Sequence, residues 1–244
     1  MDTIHILGTK VHNLSMDETL DEIDNLIQSG GAHLIVTLGV EMVMHAQKDA
    51  EFREIVNNAS LVVPDSVGIL WAGKKSGVKL KGRAPGIDII NRMTGEAKKY
   101  PWRVFLLGAK PGVTDKASRI IKEKHPDFNC VGTYHGYFKD DDEAIEQIKK
   151  ANPQLLLIGM GFPAQEKWFH RNRDKLGDMV AIGVGGSFDV LSGNIKRAPA
   201  FFQKTGLEWF YRLITQPSRF HRMTAIPAFV IKVLFSGNSN RGIG

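Results

Sequence analysis

The chain reads as an α/β protein with a mainly parallel sheet flanked by helices, and three observations carry that reading. Five short runs are almost purely apolar with little polar alternation, stretches of helical period separate them, and three strand-to-helix junctions are rich in glycine. A strand covered on both faces has no polar side to keep wet, so unbroken apolar runs point to parallel pairing between two helical layers.

In chain order, Leu20, Ile23, Leu26 and Ile27 form an apolar stripe at helical spacing. Ser15 followed by Glu18 has the spacing of a capping box, which starts that helix. Ala32 to Thr37 is the first buried strand and Leu61 to Val63 the second, with a helix beginning near Ser66. Arg103 to Gly108 is the third strand, followed by helix candidates at Asp115 to Lys124 and Asp140 to Lys150. Leu155 to Gly159 is the fourth strand, Ala164 to Lys175 a helix, and Val180 to Val184 the last strand. Strand signal ends near Gly193-Asn194, which divides a body of residues 1–194 from an appendage of residues 195–244, itself cut into short helices by Pro199, Pro217 and Pro227. The expected architecture is Rossmann-like, with ligands beyond the carboxyl ends of the strands.

With 244 residues, 43% of them hydrophobic and 24% charged, the chain has the composition of a globular protein rather than a disordered one. Its charge is unevenly placed. The net charge is +6, yet residues 196–244 hold eight Lys/Arg against the single acid Glu208, which leaves the rest of the chain near neutrality. The same segment is rich in aromatic and aliphatic residues, from Phe201 and Phe202 through Trp209, Phe210 and Tyr211 to Phe235. An anionic membrane surface or a polyanionic substrate selects such a basic amphipathic segment; a helix packed on the body with its charges outward has the same composition. No nucleic-acid motif accompanies it, so no nucleic-acid partner is expected. The run from Ala225 to Phe235 contains Pro227 and Lys232 and is well short of the ~20 residues that span a bilayer. An acid at position 2, where a secretion signal carries basic residues, leads to the expectation of a cytoplasmic protein, peripheral on the inner face of the membrane. The lone Cys130 excludes an internal disulfide and a cysteine zinc cluster and reads as a small core residue. Oligomeric state, including a homo-oligomer, stays open.

Polar residues follow three of the strands: Thr37-Leu38-Gly39-Val40-Glu41, Pro64-Asp65-Ser66-Val67-Gly68 and Gly185-Gly186-Ser187-Phe188-Asp189. Asp65 suits either a helix N-cap or a base facing the crevice, because both occupy the same place. The turn Gly183-Val184-Gly185-Gly186-Ser187 allows close backbone approach to a diphosphate, yet it is neither a Walker A sequence nor GxGxxG. Gly108-Ala109-Lys110-Pro111-Gly112 and Gly159-Met160-Gly161-Phe162-Pro163 are further glycine turns, and together the three fit a nucleotide-sized ligand. Asp140-Asp141-Asp142 resembles a cation-binding run but opens a helix, where acids meet the positive end of the dipole. The eight histidines form no HExxH motif; His135 is either a pocket residue or a buried, hydrogen-bonded one.

Taken together, these motifs resemble the WecG/TagA/CpsF glycosyltransferases (family 26) over about Ile35 to Phe229. The blocks that carry the resemblance include Pro64-Asp65, Gly86-Ile87-Asp88, Phe105 to Gly108, His135-Gly136-Tyr137-Phe138, Pro163 to Trp168, Gly183 to Val190, Lys196 to Pro199 and Glu208 to Leu213. The resemblance is greatest to the wall teichoic acid branch. It implies an inverting, metal-independent transfer of N-acetylmannosamine from UDP-ManNAc to undecaprenyl-diphosphate-GlcNAc, with no cofactor. It also implies Asp65 as general base, Thr37 in the catalytic pocket, and an appendage that both binds the membrane and closes the active site. Gly39 stands where the family commonly has Asn, and Ser66 where Gly often follows Pro-Asp. On this reading Arg83 and Gln165 join the catalytic set, while Gly39, Gly108, Tyr137, Gly185, Gly186, Ser187, Asp189, Arg212, Arg219 and Arg222 contact substrate. A relative using UDP-ManNAcA and a non-catalytic nucleotide- or lipid-binding module are the alternatives.

Overall fold

The computed structural model describes residues 1–199, 201–202, 208–215 and 224–236. A hairpin of β1 (Thr3–Ile6) and β2 (Thr9–His12) leads into α1 (Met16–Ser29) and β3 (Ala32–Leu38). There follow α2 (Val40–Ala46), α3 (Ala50–Asn58), β4 (Leu61–Pro64), α4 (Val67–Lys75), α5 (Gly86–Gly95) and β5 (Val104–Gly108). The body then continues through α6 (Val113–Lys124), β6 (Cys130–Tyr134), α7 (Asp141–Ala151), β7 (Leu155–Gly159), α8 (Ala164–Leu176), β8 (Met179–Gly183) and the short α9 (Ser187–Leu191). In the appendage, the described helices are α10 (Glu208–Thr215) and α11 (Ala225–Phe235).

Six strands form one parallel sheet in the order β4-β3-β8-β7-β5-β6, with Ile35 opposite both Leu61 and Ile182. The period-2 alternation of a strand splits the interior in two. Leu34, Val36, Leu38, Phe105, Leu107, Leu156 and Ile158 face one core with α2, α3, α4, α7 and α8, whereas Ile35, Val63, Val104, Leu106, Leu155 and Leu157 face the other with α1, α5, α6 and α9. β3 and β8 are neighbours, yet the helix after β3 packs on the first face and the helix after β8 on the second. A crevice opens at such a switch point.

Local signals behave as their chemistry requires. Ser15 Oγ accepts from the Glu18 N–H at 3.2 Å while Glu18 Oε2 accepts from the Ser15 N–H at 2.8 Å, completing the capping box. The N-cap position of α4 falls on Ser66, one residue after Asp65, and the Ser66 side chain makes no capping bond. α11 is joined to the body: it packs on α2 and α4, and Phe229, 1% exposed, lies in the first core with its ring 6.4 Å from that of Trp71.

The hairpin guards the β4 edge of the sheet. Leu7 and Gly8, at φ 48° and 77°, make its two-residue turn, and the side chains of Gln47 and Asn57 donate to the two turn carbonyls. Lys10 Nζ donates to the Ala59 carbonyl at 2.8 Å. The Val62 N–H donates to His12 Nδ1 at 2.9 Å, which requires a lone pair on that nitrogen; the same nitrogen is 3.3 Å from the Val62 carbonyl, the partner a protonated ring would need instead. Burial, and then the charge of Lys10, hold the His12 pKa below its ordinary 6.5.

A depressed histidine pKa means that the unfolded chain takes up the proton first as pH falls. The stability contributed by His12 is therefore complete above pH 6.5 and declines as pH drops from 6.5 toward its folded value. Urea unfolding midpoints measured from pH 7.5 to pH 5 should fall over that window, and fall less in His12→Gln; equal slopes for the two proteins would remove His12 as the cause.

Candidate active site

The cleft at the switch point has a volume of about 310 Å³ and is built from the ends of β3, β4 and β8. From β3 and the start of α2 come Thr37, Gly39, Val40 and Glu41; from the end of β4 and the start of α4 come Asp65, Ser66 and Val67. The Asp65 N–H donates to the Leu38 carbonyl at 3.0 Å, carrying the β3–β4 ladder one residue past β4 and fixing Asp65 at the rim. Its carboxylate lies over Gly39, where an added Cβ would stand 3.9 Å from Oδ2. At φ −98° the backbone of Gly39 suits any residue, so glycine here provides space beside the carboxylate rather than conformational freedom. Thr37 Oγ1 donates to the Gly183 carbonyl at 2.9 Å, which fixes the hydroxyl at the cleft wall.

Opposite these groups lie Arg83, Pro85 and Gly86, held against β4 by an Ala84 N–H to Pro64 carbonyl bond of 2.7 Å. The floor is made by two glycine turns joined through one amide. Gln165 Oε1 accepts from the N–H groups of Gly161 and Gly185, both at 3.1 Å, while Gln165 Nε2 donates to Glu166 Oε1 at 2.7 Å. Gly161 and Gly185 have φ of 77° and 52°, the left-handed region in which glycine is unstrained. Gly186 and Ser187 complete this side, and Ser187 Oγ donates to the Val184 carbonyl at 2.6 Å. Burial pushes the Glu166 carboxyl up to about 7.

The structure thus brings together Thr37, Gly39, Asp65, Arg83, Gln165, Gly185, Gly186 and Ser187 of the residues expected from the sequence. Gly108, Tyr137 and Asp189 lie outside the cleft lining. Gly108, at φ 134°, has no room for a side chain, because a Cβ would fall 2.5 Å from the Gly159 backbone where β5 and β7 converge. Tyr137, 65% exposed, follows β6, and Asp189 is half-buried on α9. Arg212 belongs to α10, and Arg219 and Arg222 fall outside the described residues. His135 is half-buried and stacks on Tyr134 at 4.6 Å, away from the cleft lining. Cys130 is half-buried on the edge strand β6, and burial raises its thiol pKa.

Sequence reasoning did not anticipate three lining residues of the appendage, Glu208, Trp209 and Ile226. One signal was available for the first of them, since Glu208 is the only acid in a strongly basic segment. At its root the appendage is tied to the body by the ion pair of Arg197 with Asp88 on α5. Among the described residues no group of three or more His, Cys, Asp or Glu side chains is arranged to hold a metal ion. The acidic run is engaged otherwise: Asp140 caps α7, Asp141 accepts from Trp168 Nε1 and Asn172 Nδ2, and Asp142 pairs with Lys175.

The model of the glycosyl transferase WecG/TagA/CpsF family matches residues 4–242. The N-acetylglucosaminyldiphosphoundecaprenol N-acetyl-beta-D-mannosaminyltransferase of Bacillus subtilis (strain 168) is 35% identical over 233 residues, covering 96% of this chain and 91% of that protein. The protein of the same name from Bacillus spizizenii is 36% identical over 87% of this chain and 82% of its own length. That of Staphylococcus aureus (strain NCTC 8325 / PS 47) is 33% identical over 94% and 91%.

The floor of the cleft sets a packing test. A Cβ on Gly183 would collide with the Gln165 amide and stand 2.8 Å from Glu166 Oε1. Gly183→Ala should therefore cost about 1–3 kcal/mol in urea unfolding; an unchanged midpoint would show that the floor is not closely packed.

Proposed function

This chain belongs to the WecG/TagA/CpsF family of glycosyl transferases, and on that premise we propose that it transfers N-acetylmannosamine from UDP-ManNAc to GlcNAc carried on undecaprenyl diphosphate, the linkage-unit step of wall teichoic acid. The observation that carries the proposal is a carboxylate, Asp65, at the tip of β4, in a cleft whose other walls hold a hydroxyl, an arginine and two glycine turns. The names of the relatives supply the sugar, the acceptor and the β configuration of the product.

In this reading a GlcNAc hydroxyl attacks the anomeric carbon from the side opposite UDP, the bond from that carbon to the phosphate oxygen breaks, and the hydroxyl proton passes to Asp65. Charge that develops on the departing diphosphate is met by Arg83 and by the Gly186 N–H, in a turn whose Gly185 N–H is held by Gln165. Thr37 and Ser187 orient the sugar and the diphosphate between these two poles. The nucleoside extends along the sheet rim toward β5, two strand spacings or about 10 Å from β8. There Asp189 can accept from ribose hydroxyls, Gly108 draws the ends of β5 and β7 together beneath the ligand, and the exposed Tyr137 ring offers a face to the base. Arg212, Arg219 and Arg222 are assigned to the acceptor diphosphate, delivered by the appendage.

Membrane attachment is part of the same proposal. No helix among the described residues is long and apolar enough to cross a membrane. α11 instead exposes Ile231, Leu234 and Phe235, the last 84% accessible, and α10 exposes Phe210 and Ile214. Apolar side chains set among basic residues suit peripheral attachment to the anionic inner leaflet, where the lipid-linked acceptor is held.

Two outcomes follow. Asp65→Asn should lower kcat by at least about 10²-fold while leaving UDP binding and the melting temperature near those of the wild type, because the amide keeps the shape of the carboxylate but cannot take up the proton. A mutant within a few-fold of the wild-type rate would end the assignment of Asp65 as base. The protein should also cosediment with anionic vesicles and not with neutral ones, weakening as salt rises, at about 1 kcal/mol for each basic residue that reaches the surface; equal binding to both vesicle types would remove the electrostatic share.

A further inference from the structure

Glu166 carries a second consequence of the way the cleft floor is built. It is 1% exposed, and among the acids of the described residues it alone has a buried carboxylate oxygen, Oε2, without a hydrogen-bond partner. The other oxygen accepts from Gln165 Nε2 at 2.7 Å, and that bond decides which end of the Gln165 amide faces the cleft. With Nε2 turned to Glu166, Oε1 is left to accept from the N–H groups of Gly161 and Gly185. The reverse orientation would set an NH₂ group against two N–H donors.

Few charges face this carboxyl. β3 and β8 present Val36, Leu38 and Ala181 on this side. From α3, Asp49 and Glu51 are both paired with Lys167. From α7, Asp141 bonds Trp168 and Asn172, with Arg171 at the limit of ion-pair range, and Asp142 pairs with Lys175. Asp65 lines the cleft above the floor. With no cation bound to it, a buried carboxyl with one unpartnered oxygen is more stable with a proton there than with a charge.

We propose that Glu166 is a positioning residue: protonated on Oε2, it fixes the Gln165 amide and thereby both glycine turns, and its charge state makes donor binding take up a proton near neutral pH. This rests on the reading of the Gly185–Gly186 turn as the diphosphate site. A charged Glu166 would lie two hydrogen bonds behind the turn that receives an anion. Bound diphosphate therefore favours the neutral form, and by linkage the neutral form favours the diphosphate. The burial that pushes this carboxyl up to about 7 sets the effect in the physiological range.

The experiment is calorimetric titration of the full chain with UDP-ManNAc, whose diphosphate diester has no group titrating near neutrality, in two buffers of different ionisation enthalpy from pH 6.5 to pH 8.5. The wild type should take up a fraction of a proton on binding and bind about fivefold more weakly at pH 8.5 than at pH 6.5. Glu166→Gln, which can still accept from Gln165 but cannot titrate, should bind with the same affinity at both pH values and without proton uptake. Glu166→Ala should bind weakly at every pH. Wild-type binding with no proton uptake, or a Glu166→Gln profile matching the wild type, overturns the proposal while leaving the donor site intact. No binding at any pH overturns the donor-site reading and this proposal with it. Should Glu166→Gln fail to fold, the two-buffer result on the wild type decides alone.

Discussion

The cleft exists because β3 and β8 lie side by side while the chain leaves them toward opposite faces of the sheet. Two neighbouring strand ends then have no helix packed across them, and the gap is lined by whatever follows each strand. After β3 this is Gly39, which leaves space; after β8 it is Gly185 and Gly186, which leave exposed backbone. Main-chain N–H groups at such a place carry partial positive charge that no pH change removes. A sheet whose helices all left on one side would have closed over this position. The chemistry of the site follows from strand order before it follows from any one side chain.

What the strand order opens, buried polar contacts hold in shape. Thr37 bonds the Gly183 carbonyl, Gln165 joins the turns of α8 and β8, and Glu166 holds Gln165. The Thr37–Gly183 and Gln165–Gly185 bonds link segments distant in sequence, the Gln165–Glu166 bond is local, and all of them lie where a lost partner would leave a polar group without water. The Asp65 backbone is anchored by its N–H bond to the Leu38 carbonyl of β3.

The strongly buried parts of the fold were legible in the sequence. Continuous apolar runs such as Leu155 to Ile158 have one physical reading, and the Ser15/Glu18 pair reports its helix locally. Elements with mixed surroundings were not legible. β6 is a half-buried edge strand with Gly132 inside it, and a Cβ there would run into the Phe105 ring, so its glycine answers a tertiary contact rather than a strand preference. The first hairpin was hidden by Leu7 in a left-handed turn position that local sequence would assign to Gly or Asn. At the site, polar residues after strands were visible as candidates, but Trp209 and Ile226 reach the cleft through folding of the appendage, and no spacing rule encodes that approach.

The hairpin against β4 also limits how copies of this chain can associate. His12 and Lys10 occupy backbone positions at Val62 and Ala59 that an incoming strand would need, so that edge accepts no addition. An edge whose backbone groups are already engaged offers nothing for another strand to copy, so the hairpin keeps β4 from seeding the growth of a larger sheet.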